Sequence, residues 1–318
     1  MIIGHSFLSQ DQKSFWSTTS LKKKIDIWTT EQIRSIFVPL VDLKSNEQIY
    51  DVGSGFSPLG RNFLPYLLPN GTIKGFDLDQ KTVNEANKSS VEQGISNYIS
   101  FSQADVYTID EMDLPLVDLV MCQQLLVNLP DPVTALEHMI NVTKSTGRLL
   151  CIENINYGAY VYRPDFSWKT NLKLSQIWQQ LCITGKFGYD HGDTTFGTNL
   201  PQVFYELGLQ DISWQIISSG VNPKPPYTKE FKQSFLENYA DEKKRIKELI
   251  ETHWGPNTNL SKKKIKFFID QVILSDYDQY AVTNNLFLTQ WFYPFIAIVG
   301  WLNEKPKREY SENVSLSL

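Results

Sequence analysis

Between residues 48 and 153, short apolar segments alternate with helix-like segments five times, and this rhythm constrains the fold more than any other feature of the chain. Gln48-Ile49-Tyr50-Asp51-Val52 reads as a strand running into glycines, Leu59 to Leu68 as the helix after it, and Pro69-Asn70-Gly71 as a turn. Thr72 to Asp77 reads as a second strand, with Asp79 capping a helix that runs to about Gln93. Tyr98 to Gln103, Leu116 to Cys122 and Gly147 to Glu153 read as three further strands, and Pro132 to Thr143 as a helix before the last of them. Strands spaced by helices in this way pair in parallel and are covered by helices on both faces. A strand buried on both faces reads as a nearly unbroken apolar run, and Leu116-Val117-Asp118-Leu119-Val120-Met121-Cys122 is close to one. The predicted fold class is therefore α/β, a doubly wound sheet.

The rhythm breaks after residue 154. Phe166 to Thr184 and Leu200 to Glu206 read as helices and Asp211 to Ile217 as a strand; Pro223, Pro225 and Pro226 mark a boundary. Residues 229–252 and 261–280 read as two charged amphipathic helices, and Trp291 to Leu302 as a final strand. Before the sheet, Thr29-Thr30-Glu31 caps a stretch whose apolar positions Ile33, Ile36, Phe37, Leu40 and Val41 recur at helical spacing. The expected organisation is a helical lid (1–45), a core (46–221 and 290–304, with 155–200 partly lid), an inserted helical segment (222–289) and a flexible tail (305–318).

The segment Asp51-Val52-Gly53-Ser54-Gly55-Phe56-Ser57-Pro58-Leu59-Gly60 follows a strand and opens a helix, so it falls at the carboxyl edge of the sheet, where open α/β sheets bind ligands. Glycines allow positive φ and close backbone approach, and amides at a helix start offer hydrogen bonds to an anionic group. A dinucleotide fingerprint needs a third glycine where this chain has Pro58, which counts against a nicotinamide or flavin cofactor.

The span 48–153 resembles a class I S-adenosylmethionine-dependent methyltransferase of the small-molecule type. Asp51-Val-Gly-Ser-Gly resembles the first motif of that family, and the resemblance assigns Asp51, Gly53, Ser54, Gly55 and Phe56 to the cofactor S-adenosyl-L-methionine. Gly75-Phe76-Asp77-Leu78-Asp79 resembles the second station, with Asp77 on the ribose hydroxyls and Leu78 beside the adenine. A carboxylate accepts two hydroxyl protons at once, which accounts for the residue type. Ala104-Asp105-Val106 resembles the third, with Asp105 accepting from the adenine amino group and the amide of Val106 donating to the ring. Cys122 and Gln123, ending the fourth strand, are candidate pocket residues. The family often carries two histidines just before its Leu-Pro-Asp; here Leu126-Val127-Asn128-Leu129 stands in their place, so no role of those histidines transfers. The resemblance implies a Rossmann-like, seven-stranded sheet, mostly parallel, whose last strand inserts antiparallel between strands five and six.

Methyl transfer from a sulfonium is an in-line displacement, and a general base is needed only when the acceptor must lose a proton. Candidates are Glu153 at the end of strand five, His191 and Asp190 in Tyr189-Asp190-His191-Gly192-Asp193, and the tyrosines Tyr157 and Tyr160. The segments outside the core hold Phe15, Trp16, Trp28, Tyr157, Tyr160, Tyr162, Trp168, Trp178, Phe187 and Tyr189, which suggests an aromatic pocket for a small organic acceptor. A net charge of −5, with basic runs only at Lys22–Lys24 and Lys262–Lys264, argues against nucleic acid. Three cysteines without a Cys-x-x-Cys pair give no zinc spacing, and no metal is expected. Cys122 and Cys151 read as small buried residues on neighbouring strands. The longest apolar stretch, Trp291 to Leu302, is too short to span a bilayer, and no signal-peptide pattern is seen, so the expectation is a cytoplasmic monomer or homodimer. Competing readings are a cofactor-binding protein without transfer activity, a nicotinamide-dependent oxidoreductase, and a protein or RNA methyltransferase; the last lacks the Asn/Asp-Pro-Pro-Tyr/Phe signature after strand four.

Overall fold

The computed structural model describes residues 28, 30–155, 160–185, 192–218, 225–288, 290–292 and 294–302. Five strands carry the alternating part: β1 (Gln48–Val52), β2 (Thr72–Asp77), β3 (Ile99–Gln103), β4 (Val117–Gln123) and β5 (Thr143–Asn154). Then follow β6 (Tyr160–Tyr162), β7 (Gln210–Ser218), β8 (Gln290–Phe292) and β9 (Pro294–Trp301). One sheet of seven strands has the order β3-β2-β1-β4-β5-β9-β7. β1 to β5 pair in parallel, and β9 lies antiparallel between β5 and β7, as the resemblance implied.

Period two in the strands sends alternate side chains to two separate cores. Val120 and Cys122 of β4 join Tyr50, Leu136, Met139 and Phe204 on one face. Leu119 and Met121 join Ile49, Phe63, Val83 and Phe37 on the other. The helices Pro132–Asn141 and Leu200–Glu206 cover the first face; Pro58–Leu67 and Gln80–Glu92 cover the second. Each leucine or phenylalanine buried this way contributes roughly 2 kcal/mol relative to exposure. Asp79 caps its helix as predicted, its carboxylate accepting from the amides of Lys81 and Thr82.

Residues 30–40 are helical, with a π turn at Ile33–Phe37, and pack onto the second face through Ile33, Phe37 and Val41. Two expectations are corrected. The segment 261–280 is not one helix: Lys262–Phe268 runs into a π turn Ile269–Ile273, and a separate helix Tyr277–Thr283 follows. The amide of Leu274 bonds back to Ile269, and Ser275 Oγ accepts from Tyr277 N at 3.2 Å, which restarts the chain in a new direction. The final strand is also divided. β8 pairs with β6 in a two-stranded ribbon, while β9 pairs with β5 and β7; Pro294, which has no N–H to give a ladder, stands at the start of β9.

The segments expected as lid and insertion share one further core. Val161, Leu174, Trp178, Leu181, Ile250, Trp254 and Phe268 pack together, with the Trp178 and Phe268 rings stacked at 5.6 Å. Trp168 and Trp178 therefore do not line an acceptor pocket: Trp168 is 69% exposed on the surface, and Trp178 is inside this core. No helix of the described residues is long and apolar enough to cross a membrane.

Candidate cofactor site

The glycine loop leaves β1 at the carboxyl edge. Gly53 and Gly55 have φ of 65° and 53°, in the region where a side chain costs energy. Ser57 shares that conformation, and Pro58 then fills the first turn of the next helix, where its missing N–H is not needed. Ser54 N donates to Phe76 O at 2.9 Å, and Ser57 N to Ser54 O at 2.7 Å, so the loop is tied to β2 and folded on itself.

Asp77 ends β2 and reaches into this loop. Its Oδ2 accepts from Gly55 N at 2.9 Å and its Oδ1 from Asp79 N at 3.0 Å. Each oxygen keeps a lone pair for a ligand hydroxyl. Burial raises the Asp77 carboxyl above the usual carboxylate range, against the pull of those amides. Asp51 is more deeply enclosed: burial pushes its carboxyl up to about 7, the nearby Asp77 charge adds to this, and the Ser57 hydroxyl opposes it. Among the described residues no cation pairs with Asp51 or Asp77, and no cluster suited to a metal ion occurs.

Leu78 follows with its side chain 43% exposed, free to meet a flat apolar ligand. Asp105 caps the 3₁₀ turn Val106–Glu111, its Oδ1 accepting from Tyr107 N at 3.0 Å, so one carboxylate oxygen serves the turn. The side chains of Val106 and Phe56 belong to the cores, which leaves their backbone as the part facing the loop region. Cys122 is corrected as a pocket residue: it faces the core, its Sγ 3.5 Å from that of Cys151 on the neighbouring strand. The Cys151 contact, with burial, holds its thiol well above the ordinary range, as expected of a pair of buried cysteines. Gln123 does lie at the edge, with Oε1 accepting from the indole Nε1 of Trp28 at 3.2 Å.

Glu153 presents no exposed surface. Its Oε1 accepts from Leu125 N at 2.9 Å and Leu126 N at 2.8 Å, so the carboxylate faces the protein's own backbone, unlike the acceptor-facing base expected from sequence. His191, Tyr157 and Asp190 lie outside the described residues. The chain is next described at Gly192, packed against the backbone of Asn128 and Leu129. Sequence reasoning missed Leu125, whose Cδ1 would sit 2.6 Å from a Cβ placed on Gly53, and the Trp28 contact; neither has a local pattern to betray it.

A parallel sheet with an antiparallel β9 beside β5, a glycine loop after β1 and an acid ending β2 that braces that loop are the features that the resemblance to a class I S-adenosylmethionine-dependent methyltransferase domain implied. Residues 43–189 match the family model described as a methyltransferase domain. An uncharacterised methyltransferase of Schizosaccharomyces pombe is 29% identical over 144 residues, 44% of this chain and 51% of that protein. A ubiquinone/menaquinone biosynthesis C-methyltransferase of Saccharophagus degradans is 24% identical over 116 residues, 36% of this chain and 46% of its own length. The chain thus spans about half the length of the curated relatives it matches. Among solved structures it is similar to the YcgJ protein of Bacillus subtilis, at 14% identity and a TM-score of 0.48, over 86% of this chain and 99% of that one.

Proposed function

We propose that this chain transfers a methyl group from S-adenosylmethionine to a small organic acceptor. The observation that carries the reading is the brace between Asp77 and Gly55 at the carboxyl edge of the sheet. The residues there fit the cofactor. The glycine cradle exposes backbone where side chains would obstruct, Ser54 Oγ is a buried polar atom without a partner among the described residues, and Asp77 retains acceptor capacity. Gly53 to Gly55 would hold the methionine part, Asp77 the ribose hydroxyls, Leu78 the adenine face, and Asp105 with the Val106 amide its edge.

When bound, the cofactor supplies an electrophilic methyl on a sulfonium. The work left to the chain is to align the acceptor with that carbon and to exclude water. Trp28, tied to Gln123 and set edge-on to Phe295 at 5.3 Å, closes part of the edge against solvent. His191 and Tyr157 remain the residues of this reading for an acceptor that must lose a proton. A small acceptor fits the acidic net charge of −5, which does not suit a phosphate backbone.

Calorimetric titration with S-adenosylmethionine and S-adenosylhomocysteine, with NADH as control, tests the reading. Asp77→Ala is expected to weaken binding of both sulfur ligands by tenfold or more, about 1.4 kcal/mol. A wild-type chain that binds neither would overturn it.

A further inference from the structure

We infer that Glu153 is a positioning residue, which holds the loop after β4 so that Leu125 packs against Gly53 and shapes one wall of the cofactor pocket. The inference rests on the reading of the site as a cofactor pocket. It concerns a fully buried carboxylate at the end of β5 that spends one oxygen on two consecutive amides, Leu125 N at 2.9 Å and Leu126 N at 2.8 Å.

The loop needs such a holder. Gln124 leaves β4 with φ of 55°, a conformation that costs a non-glycine residue roughly 1 kcal/mol and persists only when its surroundings impose it. Three successive residues of β5 impose it. Ile152 O accepts from Gln124 N at 2.8 Å, Glu153 takes the next two amides, and Asn154 Oδ1 accepts from Gln124 Nε2 at 3.1 Å. Asn128 closes the turn from within, its Nδ2 donating to Gln124 O at 2.7 Å. Of these ties, only the Glu153 pair acts on Leu125 itself. A charged acceptor makes stronger bonds to backbone amides than a neutral one, and an amide left unmatched in such a buried place is costly. On the far side Gly197 lies close against this end of β5: an added Cβ would meet Asn154 O and lie 3.2 Å from the Cβ of Glu153. The result is a chain of contact from β5, through Glu153 and Leu125, to the glycine that follows β1.

Two near-isosteric variants of the full chain separate the possibilities. Glu153→Gln keeps a carbonyl oxygen for both amides; Glu153→Leu keeps the volume and removes the acceptor. Hydrogen exchange at the Leu125 and Leu126 amides, read by NMR, reports the loop without any ligand. Calorimetry with S-adenosylhomocysteine reports the pocket. The expected result is protection and affinity within about threefold of wild type for Glu153→Gln. For Glu153→Leu it is exchange at least about tenfold faster at both amides, together with affinity roughly tenfold weaker. Leu125→Ala, which leaves Glu153 untouched, is expected to weaken binding as well, and it carries the test if Glu153→Leu does not fold. Loss of protection with unchanged affinity in Glu153→Leu, or unchanged affinity in Leu125→Ala, overturns the inference, because Glu153 would then be structural only. So does a Glu153→Gln variant that keeps its protection but loses binding, because the charge would then act on the ligand directly. Unprotected amides in the wild-type chain overturn it whatever the chain binds. A wild-type chain with protected amides and no affinity overturns instead the reading of the site, and the pocket role with it.

Discussion

Asp51 and Asp77 share one loop and differ in what surrounds them. Asp77 is drawn toward ionisation by the backbone amides of Asp79, Gly55 and Leu78, whereas the Ser57 hydroxyl is what offsets the burial of Asp51. Its carboxyl, ordinarily near 3.8, is pushed up to about 7. A carboxyl raised in the folded state favours folding most when it is protonated. That contribution is fully present below about pH 4 and is lost as pH rises through about 7. Asp51→Asn is therefore expected to be more stable than wild type at pH 8, by something on the order of 4 kcal/mol at most, with the gap closing at pH 4. Urea denaturation at both pH values reads the difference, and an equal effect at both would show that Asp51 is not the group responsible. Both acids were visible in the sequence as members of a motif. Their unequal electrostatics were not, because burial depth is a property of the packed loop.

At the scale of elements, the alternating strands and helices from β1 to β5 follow from local patterns, and their bounds fall within a few residues of those read from the sequence. The later elements do not. A charged amphipathic stretch at 261–280 carries helical periodicity throughout, yet a π turn and the Ser275 restart divide it, since its partners in the helical core require two directions. Arg148 on β5 shows another long-range tie. It is buried over the Trp301 ring at 5.0 Å, donates to Glu47 at 3.0 and 2.7 Å, and its Nε bonds Val41 O. This guanidinium adds polar ties to the apolar packing that joins the segment before β1 to the sheet. Glu47→Ala leaves the charge buried without its partner, and the expected cost is about 3–5 kcal/mol. A loss below about 1 kcal/mol in chemical denaturation would mean that the carbonyls of Val41 and Asp42 suffice to hold it.

For the molecule as a whole, three bodies of apolar packing matter: one on each face of the sheet, and a third within the helices that follow β5 and precede β8. Of the aromatic residues that composition alone assigns to a pocket, Trp28 packs on the second face of the sheet, Trp178 lies in the third core and Trp168 stands on the surface. Trp178→Ala is expected to cost about 3–5 kcal/mol, because its ring is stacked in the third core. Trp168→Ala, on the surface, is expected to change stability by no more than about 0.5 kcal/mol. Denaturation curves of the two variants compared at one pH decide this. Similar losses would place Trp168 in a buried contact after all.

What the sequence determined by itself was the parallel sheet and the glycine loop at its carboxyl edge. Both rest on short-range signals: apolar runs of strand length, helical spacing between them, and glycines where a strand meets a helix. The order of the late strands came from resemblance and not from any pattern in the residues. Only the tertiary structure decided that the last apolar run divides between two sheets, that Trp28 meets Gln123, and that Glu153 turns inward to the loop carrying Leu125. Each of these joins positions far apart in the chain. Such pairs are selected by the free energy of packing and by the need to match every buried amide, and neither is written in the spacing of neighbouring residues.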